Sequence, residues 1–239
     1  MNLEPNIHVI AAALADRSRA RMVCALMDGR AYTAKELAYT AEITPQTASA
    51  HLKVLEREGL IAPLKSGRNK YLRLASPAVA QLIESLSLLS SSEHVRRAKP
   101  RGATPAMLEA RSCYDHIAGR LGTALLDALC AEGHLKRRGD ELSVTASGED
   151  FFSDLGIDVA GLRSLKRPLT RCCLDWTERR HHLAGSLGAA LMTQFLEAGW
   201  LVRERNGHAL LVTANGQRVF AEHFGLTLLD AESSEVLTA

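Results

Sequence analysis

The strongest constraint on the fold is an internal repeat in the C-terminal half of the chain. Residues 117–135 align without a gap to residues 183–201, so equivalent positions are 66 residues apart. After a two-residue insertion the match resumes between residues 142–148 and 210–216. Duplicated units of this kind bury their apolar faces against each other. We therefore predict two repeat units, over about residues 111–162 and 171–230, each a helix, a strand hairpin and a helix.

The N-terminal part of the chain has a different signature, two capped helices separated by a short turn. Thr33 and Glu36 have the spacing of a capping box, in which side chain and backbone satisfy each other's hydrogen bonds. After a short turn, Thr44 caps a second helix that has Pro45 at its first position. A short helix, a tight turn and a longer helix together predict a helix-turn-helix, preceded by two further helices over residues 6–29.

The pattern changes to strands beyond Gly59. Residues 60–64 and 71–74 flank a cation-rich turn, which predicts a β-hairpin wing with a basic tip. Residues 77–89 return to helical spacing, and their apolar stripe consists of Val79, Leu82, Ile83, Leu86 and Leu89.

These elements define the predicted domains. A winged helix-turn-helix domain for DNA binding and dimerisation occupies residues 1–92, and a linker rich in serine, proline and basic residues occupies residues 93–105. A duplicated, sensor-like domain follows at residues 106–239. The predicted fold class is mainly α with small β-wings (α+β).

Composition narrows the classes of function. Residues 1–100 carry 14 basic and 9 acidic side chains, whereas residues 101–239 carry 15 and 18. The formal charge of +2 is too small for a polyelectrolyte, so nucleic-acid binding would depend on local charge. The absence of a run of about 18 apolar residues and of a secretory signal predicts a cytoplasmic protein without a membrane partner. Five cysteines, an odd number, favour reduced thiols over a disulfide framework.

Several of these motifs together resemble the ArsR/SmtB-type winged helix-turn-helix regulators. The resemblance covers about residues 6–90, and besides the capping box and Thr44 it rests on Leu14-Ala15-Asp16, Arg19, Ser49, His51, Leu55, Glu58-Gly59-Leu60-Ile61 and Gly67-Arg68. It implies a homodimer that clamps a double-stranded DNA operator and releases it when an effector binds. The C-terminal half is similar to longer regulators of this type, whose appended domain has paired Cys-x-Asp segments.

The sequence departs from the metal-sensing members of that family. Those members carry a Cys-x-Cys element on the helix occupied here by residues 36–40, or Asp and His pairs on the last helix of the domain. Neither residues 36–40 nor residues 77–89 contain these side chains, so neither of the family's metal sites is predicted. Cys24 lies among Met22, Val23 and Leu26, which predicts a buried and inert thiol.

The helix that follows Thr44 has the side chains expected of a recognition helix. A helix that enters the major groove needs short donors and acceptors over its first two turns, and cations at a hairpin tip suit phosphate or minor-groove contacts. A solvated helix face is the alternative for each residue taken singly. The predicted DNA-binding residues are Thr33, Thr44, Gln46, Thr47, Ser49, His51, Lys53, Arg68 and Lys70.

Polar residues gather just before the first predicted helix of each repeat. The Cys113-x-Asp115 segment echoes Cys173-x-Asp175, and His116 aligns with His182. A two-fold duplication would bring these segments together at the junction of the copies, where small-molecule pockets commonly form. The predicted effector-binding residues are Arg111, Cys113, Tyr114, Asp115, His116, Cys173, Asp175, Trp176, Arg179 and His182.

Several interpretations of this cluster remain open. Trp176 and Tyr114 could wall a pocket for an organic effector, with Arg179, Asp115 and Asp175 as polar anchors. The same residues could instead be a structural hydrogen-bond network.

Two further interpretations depend on the thiols. A thiol near Arg111, Arg171 or His116 could sense oxidants or electrophiles, and thiolates with imidazoles could bind zinc or a thiophilic ion. Against a metal, the adjacent thiols of Cys172 and Cys173 would diverge on a helix, and no Cys-x-x-Cys or His-x-x-x-His spacing occurs. We therefore assign no metal ligand at this stage, and the sequence names no cofactor.

An enzyme is the interpretation from another class. Cys113, Asp115 and His116 include the parts of a cysteine nucleophile with its base, but neighbours along one segment seldom point at a common atom. The sequence has no phosphate loop, serine elbow or paired-carboxylate signature. A regulator is therefore predicted, with a cysteine-dependent enzyme fused to a DNA-binding domain as the remote alternative.

Overall fold

The computed structural model describes residues 6–67, 69–90, 104–205 and 207–227. The chain divides into two compact units, Met1–Ser87 and Leu88–Ala239, which we call the N-terminal and C-terminal units. Most of the predicted linker lies outside the described residues, and its last two residues begin a helix instead, because Thr104 caps helix α6 (Pro105–Glu109). Among the described helices, none is both long and apolar enough to span a membrane.

Four helices and a 3-10 turn begin the N-terminal unit. Their bounds are α1 (Ile7–Leu14), α2 (Arg17–Ala25), the 3-10 turn (Leu26–Asp28), α3 (Ala34–Ala41) and α4 (Pro45–Arg57). The predicted caps are present, because Asp16 accepts a hydrogen bond from the Arg19 amide, Thr33 and Glu36 form a reciprocal capping box, and Thr44 accepts from the Thr47 amide. The turn between α3 and α4 passes through Glu42 in the left-handed conformation. The predicted helix-turn-helix is confirmed.

A three-stranded sheet forms the wing of the N-terminal unit. Strands β1 (Tyr32–Thr33), β2 (Ile61–Ser66) and β3 (Asn69–Leu74) lie in the order β1-β3-β2. The hairpin is longer than predicted, since its two strands pair as far as Ser66 and Asn69, which requires a tight turn. Gly67 supplies the positive φ that such a tight turn needs. Arg68 lies outside the described residues.

Helix α5 (Pro77–Ser90) follows the wing, and its apolar stripe faces two directions. Ile83 is buried together with Ala80, whereas the side chains of Leu82 and Leu86 are 36% and 42% exposed. The core of the N-terminal unit therefore takes only part of the stripe, and an apolar face of α5 remains at the surface of the single chain.

The prediction that Cys24 is buried was wrong. Met22, Val23, Ala25 and Leu26 are buried, but Cys24 is exposed on α2. Helical geometry explains the difference, because each residue is rotated by about 100° from the next, so one position among apolar neighbours can still face solvent.

The C-terminal unit contains two copies of a hairpin–helix–hairpin–helix motif after α6. The first copy consists of β4 (Arg111–Cys113), β5 (His116–Ala118), α7 (Gly119–Ala131), β6 (Leu135–Arg138), β7 (Glu141–Val144) and α8 (Ala146–Asp154). Helix α9 (Val159–Arg163) connects it to β8 (Arg171–Leu174), β9 (His181–Ala184), α10 (Gly185–Glu197), β10 (Leu201–Arg203), β11 (Leu210–Val212) and α11 (Ala214–Phe224). The duplication is confirmed, and each copy gains one hairpin that the sequence did not predict.

The two copies share one hydrophobic core. Phe152 of the first copy and Phe195 and Phe220 of the second are fully buried in it. Helix α7 packs against β9 of the other copy, and α10 packs against β5. Glycines permit this close approach, because a Cβ at Gly122 would lie 2.4 Å from the Ile117 carbonyl oxygen and 3.4 Å from Cβ of His182.

Gly188 occupies the equivalent position in the second copy and provides a test of this packing. A Cβ there would lie 2.4 Å from the Leu183 carbonyl oxygen and 3.3 Å from Cβ of His116. We expect Gly188→Ala to lower the free energy of unfolding of the C-terminal unit by about 1–3 kcal/mol, as overpacking of a core does. Tryptophan fluorescence during urea unfolding reports on this unit, because it holds both tryptophans, Trp176 and Trp200.

The matched control is Thr193→Ala on the exposed side of the same helix. This substitution should change stability by less than about 0.5 kcal/mol. Equal unfolding midpoints for the two variants would contradict the close approach of the copies at Gly188.

Candidate functional site

The exposed face of α4 carries four of the nine predicted DNA-binding residues. Ala48, Leu52 and Leu55 point into the core, and the opposite face exposes Gln46, Thr47, Ser49 and Lys53. Gln46, Ser49 and Lys53 are spaced three and four residues apart, so they follow one line along the helix. The structure therefore places these side chains together on a surface that a ligand can reach.

Four of the predicted hydroxyl groups already make hydrogen bonds within the fold. Thr33 Oγ1 donates to Glu36 Oε2 at 2.8 Å, and Ser49 Oγ donates to the Pro45 carbonyl oxygen at 2.9 Å. Thr44 Oγ1 lies 2.9 Å from Thr47 Oγ1. Thr33 and Thr44 thus fix the starts of α3 and α4 and hold the exposed face of α4 in position.

His51 is placed apart from the other predicted residues. Its Nδ1 lies 3.3 Å from Arg19 Nη1 and 3.8 Å from Asp16 Oδ1, and its side chain is only 21% exposed. Arg19 also donates to the carbonyl oxygens of Ala12 and Ala13. His51 therefore joins α4 to the junction of α1 and α2, a structural contact that sequence spacing alone did not predict.

The wing and α3 contribute further exposed groups. Lys70 Nζ lies 3.1 Å from Glu56 Oε2 of α4, and Lys65 is the cross-strand partner of Lys70 in the hairpin. Tyr39 on α3 is 86% exposed, and its position as a lone aromatic residue on a polar helix face is the signal that could have identified it. Lys65 and Tyr39 are not among the DNA-binding residues that the sequence predicts.

In the C-terminal unit, the two unpredicted hairpins bring four side chains together. Hairpin β4–β5 supplies Cys113 and His116, and hairpin β8–β9 supplies Cys173 and His182. One sulfur or ring nitrogen from each residue lies within 4.8 Å of the other three. Nε2 of His116 lies 3.2 Å from Nε2 of His182, and their rings stack with centroids 5.0 Å apart. We call these four residues the Cys/His cluster.

A carboxylate lies behind each histidine of the Cys/His cluster. His116 Nδ1 is 3.4 Å from Asp115 Oδ1, and His182 Nδ1 is 3.6 Å from Asp175 Oδ2. Each carboxylate is held by an arginine, since Asp115 pairs with Arg167 at 2.5 Å and Asp175 pairs with Arg111 at 2.7 Å. Arg167 is not among the residues that the sequence predicts for the site, because it is 52 residues from its partner.

Asp175 also connects the two copies through the backbone. Helix α7 has no side-chain cap of its own, because Ala118 stands at its N-cap position. The Gly119 amide at its first turn donates instead to Asp175 Oδ2 at 2.8 Å. The carboxylate of the second copy therefore caps a helix of the first copy and balances the partial positive charge at its N-terminus.

The electrostatics of the cluster favour a thiolate and a neutral imidazole. Hydrogen bonding from Cys113 lowers the pKa of Cys173 well below its usual range, against the effect of burial and with help from His116 and His182. Burial lowers the pKa of His182 and outweighs the nearby thiolate, which acts to raise it. Burial acts to raise the pKa of Asp175, but the Arg111 charge and several hydrogen bonds hold it well below its usual range.

Among the described residues, the other predicted effector residues and the Cys/His cluster do not line a common open pocket. Tyr114 and Arg179 adopt positive φ angles in the turns of the two hairpins, and the Arg111 guanidinium lies 5.0 Å from the centre of the Trp176 ring. A cleft of about 600 Å³ elsewhere in the C-terminal unit is lined by Lys136, Arg138, Asp140, Glu141, Leu142, Ser143, Pro168, Thr170 and Arg171. None of the predicted effector residues lines that cleft.

The sequence is similar to known proteins along nearly its whole length. Residues 14–63 match a family model described as a helix-turn-helix domain. The chain is 41% identical over 226 residues to the uncharacterized HTH-type transcriptional regulator YdfF of Bacillus subtilis (strain 168), which covers 95% of this chain and 100% of that protein.

Solved structures of smaller regulators match part of the chain. HlyU from Vibrio cholerae N16961 is 29% identical and covers 36% of this chain and 92% of its own, with a TM-score of 0.33. The homodimeric winged helix-turn-helix domain Mb0332 from Mycobacterium bovis, described as a possible ArsR-family transcriptional regulator, is 23% identical. It covers 43% of this chain and 100% of its own, with a TM-score of 0.35.

The buried pair of Asp175 and Arg111 provides a test of the site geometry. Asp175→Asn leaves the Arg111 charge buried without its counter-ion, and we expect it to lower the free energy of unfolding by about 3 kcal/mol or more. Asp127→Asn removes an exposed carboxylate that pairs with Arg180 in the same unit, and it should cost less than about 1 kcal/mol. Chemical unfolding followed by tryptophan fluorescence distinguishes the two, and equal losses would contradict the central position of Asp175.

Proposed function

Because the chain belongs to the helix-turn-helix transcriptional regulators, we propose that it acts as a homodimeric repressor of transcription. Binding of an effector to the C-terminal unit would release the repressor from its operator. The N-terminal unit is a DNA-binding winged helix-turn-helix. Repression, dimerisation and the effector are the parts of the proposal that go beyond membership of the family.

The observation that carries the proposal is the exposed polar face of α4. Two capped helices and a left-handed turn residue hold this helix so that its apolar side is buried and its first two turns face outward. Gln46 can form two hydrogen bonds with the major-groove edge of adenine, at N6 and N7, while Ser49 and Lys53 can bond to bases or phosphates along the same line. This arrangement supports reading of a base sequence in the major groove.

The wing supports the proposal through charge rather than sequence recognition. Lys65, Lys70 and Arg73 are exposed along its two strands. Cations that neutralise phosphates add affinity that is independent of sequence and weakens as salt rises. The wing would therefore position the domain on the duplex, while α4 selects the site.

The exposed face of α5 supports dimerisation. Leu82 and Leu86 are large apolar side chains one helical turn apart, and both are exposed in the single chain. A second copy that packs its own α5 against this face would bury them and would create a two-fold axis. Two recognition helices related in this way would read half-sites about 34 Å apart on a palindromic operator.

Regulation is proposed to reside in the C-terminal unit. An effector that favours one dimer geometry by about 1–3 kcal/mol would change operator affinity roughly 5- to 150-fold. The Cys/His cluster favours a thiol-based or metal-responsive signal over an organic ligand, because its thiols and imidazoles converge while Trp176 packs against Arg111 rather than lining an open cavity.

Base reading by α4 predicts a loss that depends on the DNA sequence. Gln46→Ala should weaken binding to the operator by about 1–3 kcal/mol and binding to random duplex much less. Fluorescence anisotropy with a duplex that the wild-type chain selects from a random library measures both affinities. The control is Gln217→Ala on α11, which should leave both unchanged. A Gln46→Ala variant with equal losses on both duplexes would contradict base reading by this residue.

Dimerisation through α5 predicts a loss of association when its apolar face is charged. Leu86→Asp should convert the protein to a monomer at micromolar concentration, because a buried carboxylate in the interface would lack a partner. Sedimentation equilibrium measures this change. The control Ser85→Asp adds the same charge to an exposed neighbouring position of α5 and should leave the dimer intact. A monomeric wild-type protein, or a Leu86→Asp variant that remains dimeric, would contradict this interface.

A further inference from the structure

The Cys/His cluster lies in the C-terminal unit, and its composition is unusual for a protein core. Each copy of the repeat contributes one cysteine and one histidine, at positions brought together by the packing of the copies. His116 and His182 are each 1% exposed and Cys173 is 5% exposed, whereas Cys113 is partly exposed. Polar groups buried this deeply need partners that satisfy them.

The arrangement matches the dimensions of a tetrahedral metal site. Zinc binds cysteine sulfur at about 2.3 Å and histidine nitrogen at about 2.0–2.1 Å, which places tetrahedral ligand atoms about 3.3–3.8 Å from one another. In the cluster the two Nε2 atoms are 3.2 Å apart, and all four ligand atoms lie within 4.8 Å of one another. Small side-chain rotations would therefore close the four atoms around one ion.

The carboxylates behind the two histidines are a second feature that is typical of a metal site. Asp115 Oδ1 lies 3.4 Å from Nδ1 of His116, and Asp175 Oδ2 lies 3.6 Å from Nδ1 of His182. Within the described part of the chain, the buried Nδ1 of His182 has no hydrogen-bond partner. The two Nε2 atoms face each other at 3.2 Å, where they share a hydrogen bond, and a cation bound by both nitrogens would replace that bond. Carboxylates behind metal-binding histidines commonly fix the ring tautomer.

The surrounding charges are also compatible with a divalent ion. Two thiolates and a divalent cation form a neutral centre, which reduces the cost of burial. The carboxylates behind the histidines are balanced separately, because Arg167 pairs with Asp115 and Arg111 pairs with Asp175.

We propose that Cys113, His116, Cys173 and His182 form a tetrahedral site for a zinc-class divalent ion, with one thiolate and one imidazole from each copy of the repeat. Four protein ligands leave no open position, which is typical of a site that holds structure rather than one that performs catalysis. The ion would join the hairpins β4–β5 and β8–β9. Local spacing could not reveal such a site, because the ligand pairs come from segments 66 residues apart.

The first experiment measures metal in the full-length protein. The untagged chain is purified under reducing conditions, and its zinc content is determined by plasma mass spectrometry before and after removal with a chelator. We expect about one zinc per chain in the purified protein. Cobalt added to the metal-free protein should produce thiolate-to-cobalt charge transfer and the intense visible bands of a tetrahedral site. Metal-free protein that binds neither zinc nor cobalt with micromolar affinity would overturn the proposal.

Variants assign the ligands, and circular dichroism confirms that each variant is folded. Cys113→Ser and His182→Gln should lower zinc affinity more than about 100-fold, which exceeds the usual effect of losing a carboxylate behind a ligand. Asp115→Asn should lower affinity by about 10- to 100-fold, because it removes the carboxylate behind His116.

Cys172→Ser is the matched control, since Cys172 is adjacent to Cys173 on β8 and successive strand residues face opposite sides. It should retain full zinc binding and the cobalt spectrum. Because the cobalt spectrum of the wild-type protein is informative by itself, a variant that fails to fold does not remove the test.

Either of two results would overturn the assignment. One is unchanged zinc affinity in a folded Cys113→Ser variant, and the other is a Cys113–Cys173 disulfide as the stable form under reducing conditions. Metal binding is measured without DNA, so its failure would leave the proposed DNA-binding function intact.

Discussion

The buried carboxylate of Asp175 is the interaction on which the C-terminal unit depends most. It pairs with Arg111, accepts the first amide of α7 and lies behind the ring of His182. These contacts join the second copy of the repeat to the first, and they replace the side-chain cap that α7 lacks. A single buried charge thereby fixes the relative position of the two hairpins and the orientation of a histidine between them.

Much of the fold could be predicted because it is encoded by local signals. The caps at Asp16, Thr33 and Thr44 each act within three residues, so their spacing is visible in the sequence. The repeat is visible as identity at a fixed offset. The hairpins β4–β5 and β8–β9 were missed because their strands are three or four residues long and rich in polar side chains. Such strands lack the apolar alternation from which a strand is predicted.

Some functional residues could also be predicted from local signals, whereas others depend on contacts between distant parts of the chain. Gln46, Thr47, Ser49 and Lys53 follow from helical periodicity, because the buried positions of α4 determine which positions are exposed. His51 could not be placed in this way, since its contact with Arg19 joins residues 32 positions apart. The sequence predicts that the residues of the Cys/His cluster meet at the junction of the two copies. It does not predict whether they can bind a metal, because that depends on the distances between side chains of different copies. Each copy supplies one cysteine and one histidine, so the four side chains show no metal-binding spacing within either segment.

Duplication also explains how two unremarkable ligand pairs become a complete set. One copy alone offers a cysteine and a histidine, which are too few to hold an ion in a closed site. Packing of α7 on β9 and of α10 on β5, permitted by Gly122 and Gly188, places the second pair opposite the first. The proposed ion would thus depend on the same packing that buries the shared core.

X-ray absorption at the zinc edge of the full-length protein tests the proposed metal site at the Cys/His cluster most directly. We predict that the first shell of the zinc ion contains two sulfur atoms at about 2.3 Å and two nitrogen atoms at about 2.0–2.1 Å, with the outer-shell scattering of imidazole rings. A first shell made only of oxygen and nitrogen atoms would place zinc elsewhere on the chain and would contradict the assignment of zinc to the Cys/His cluster.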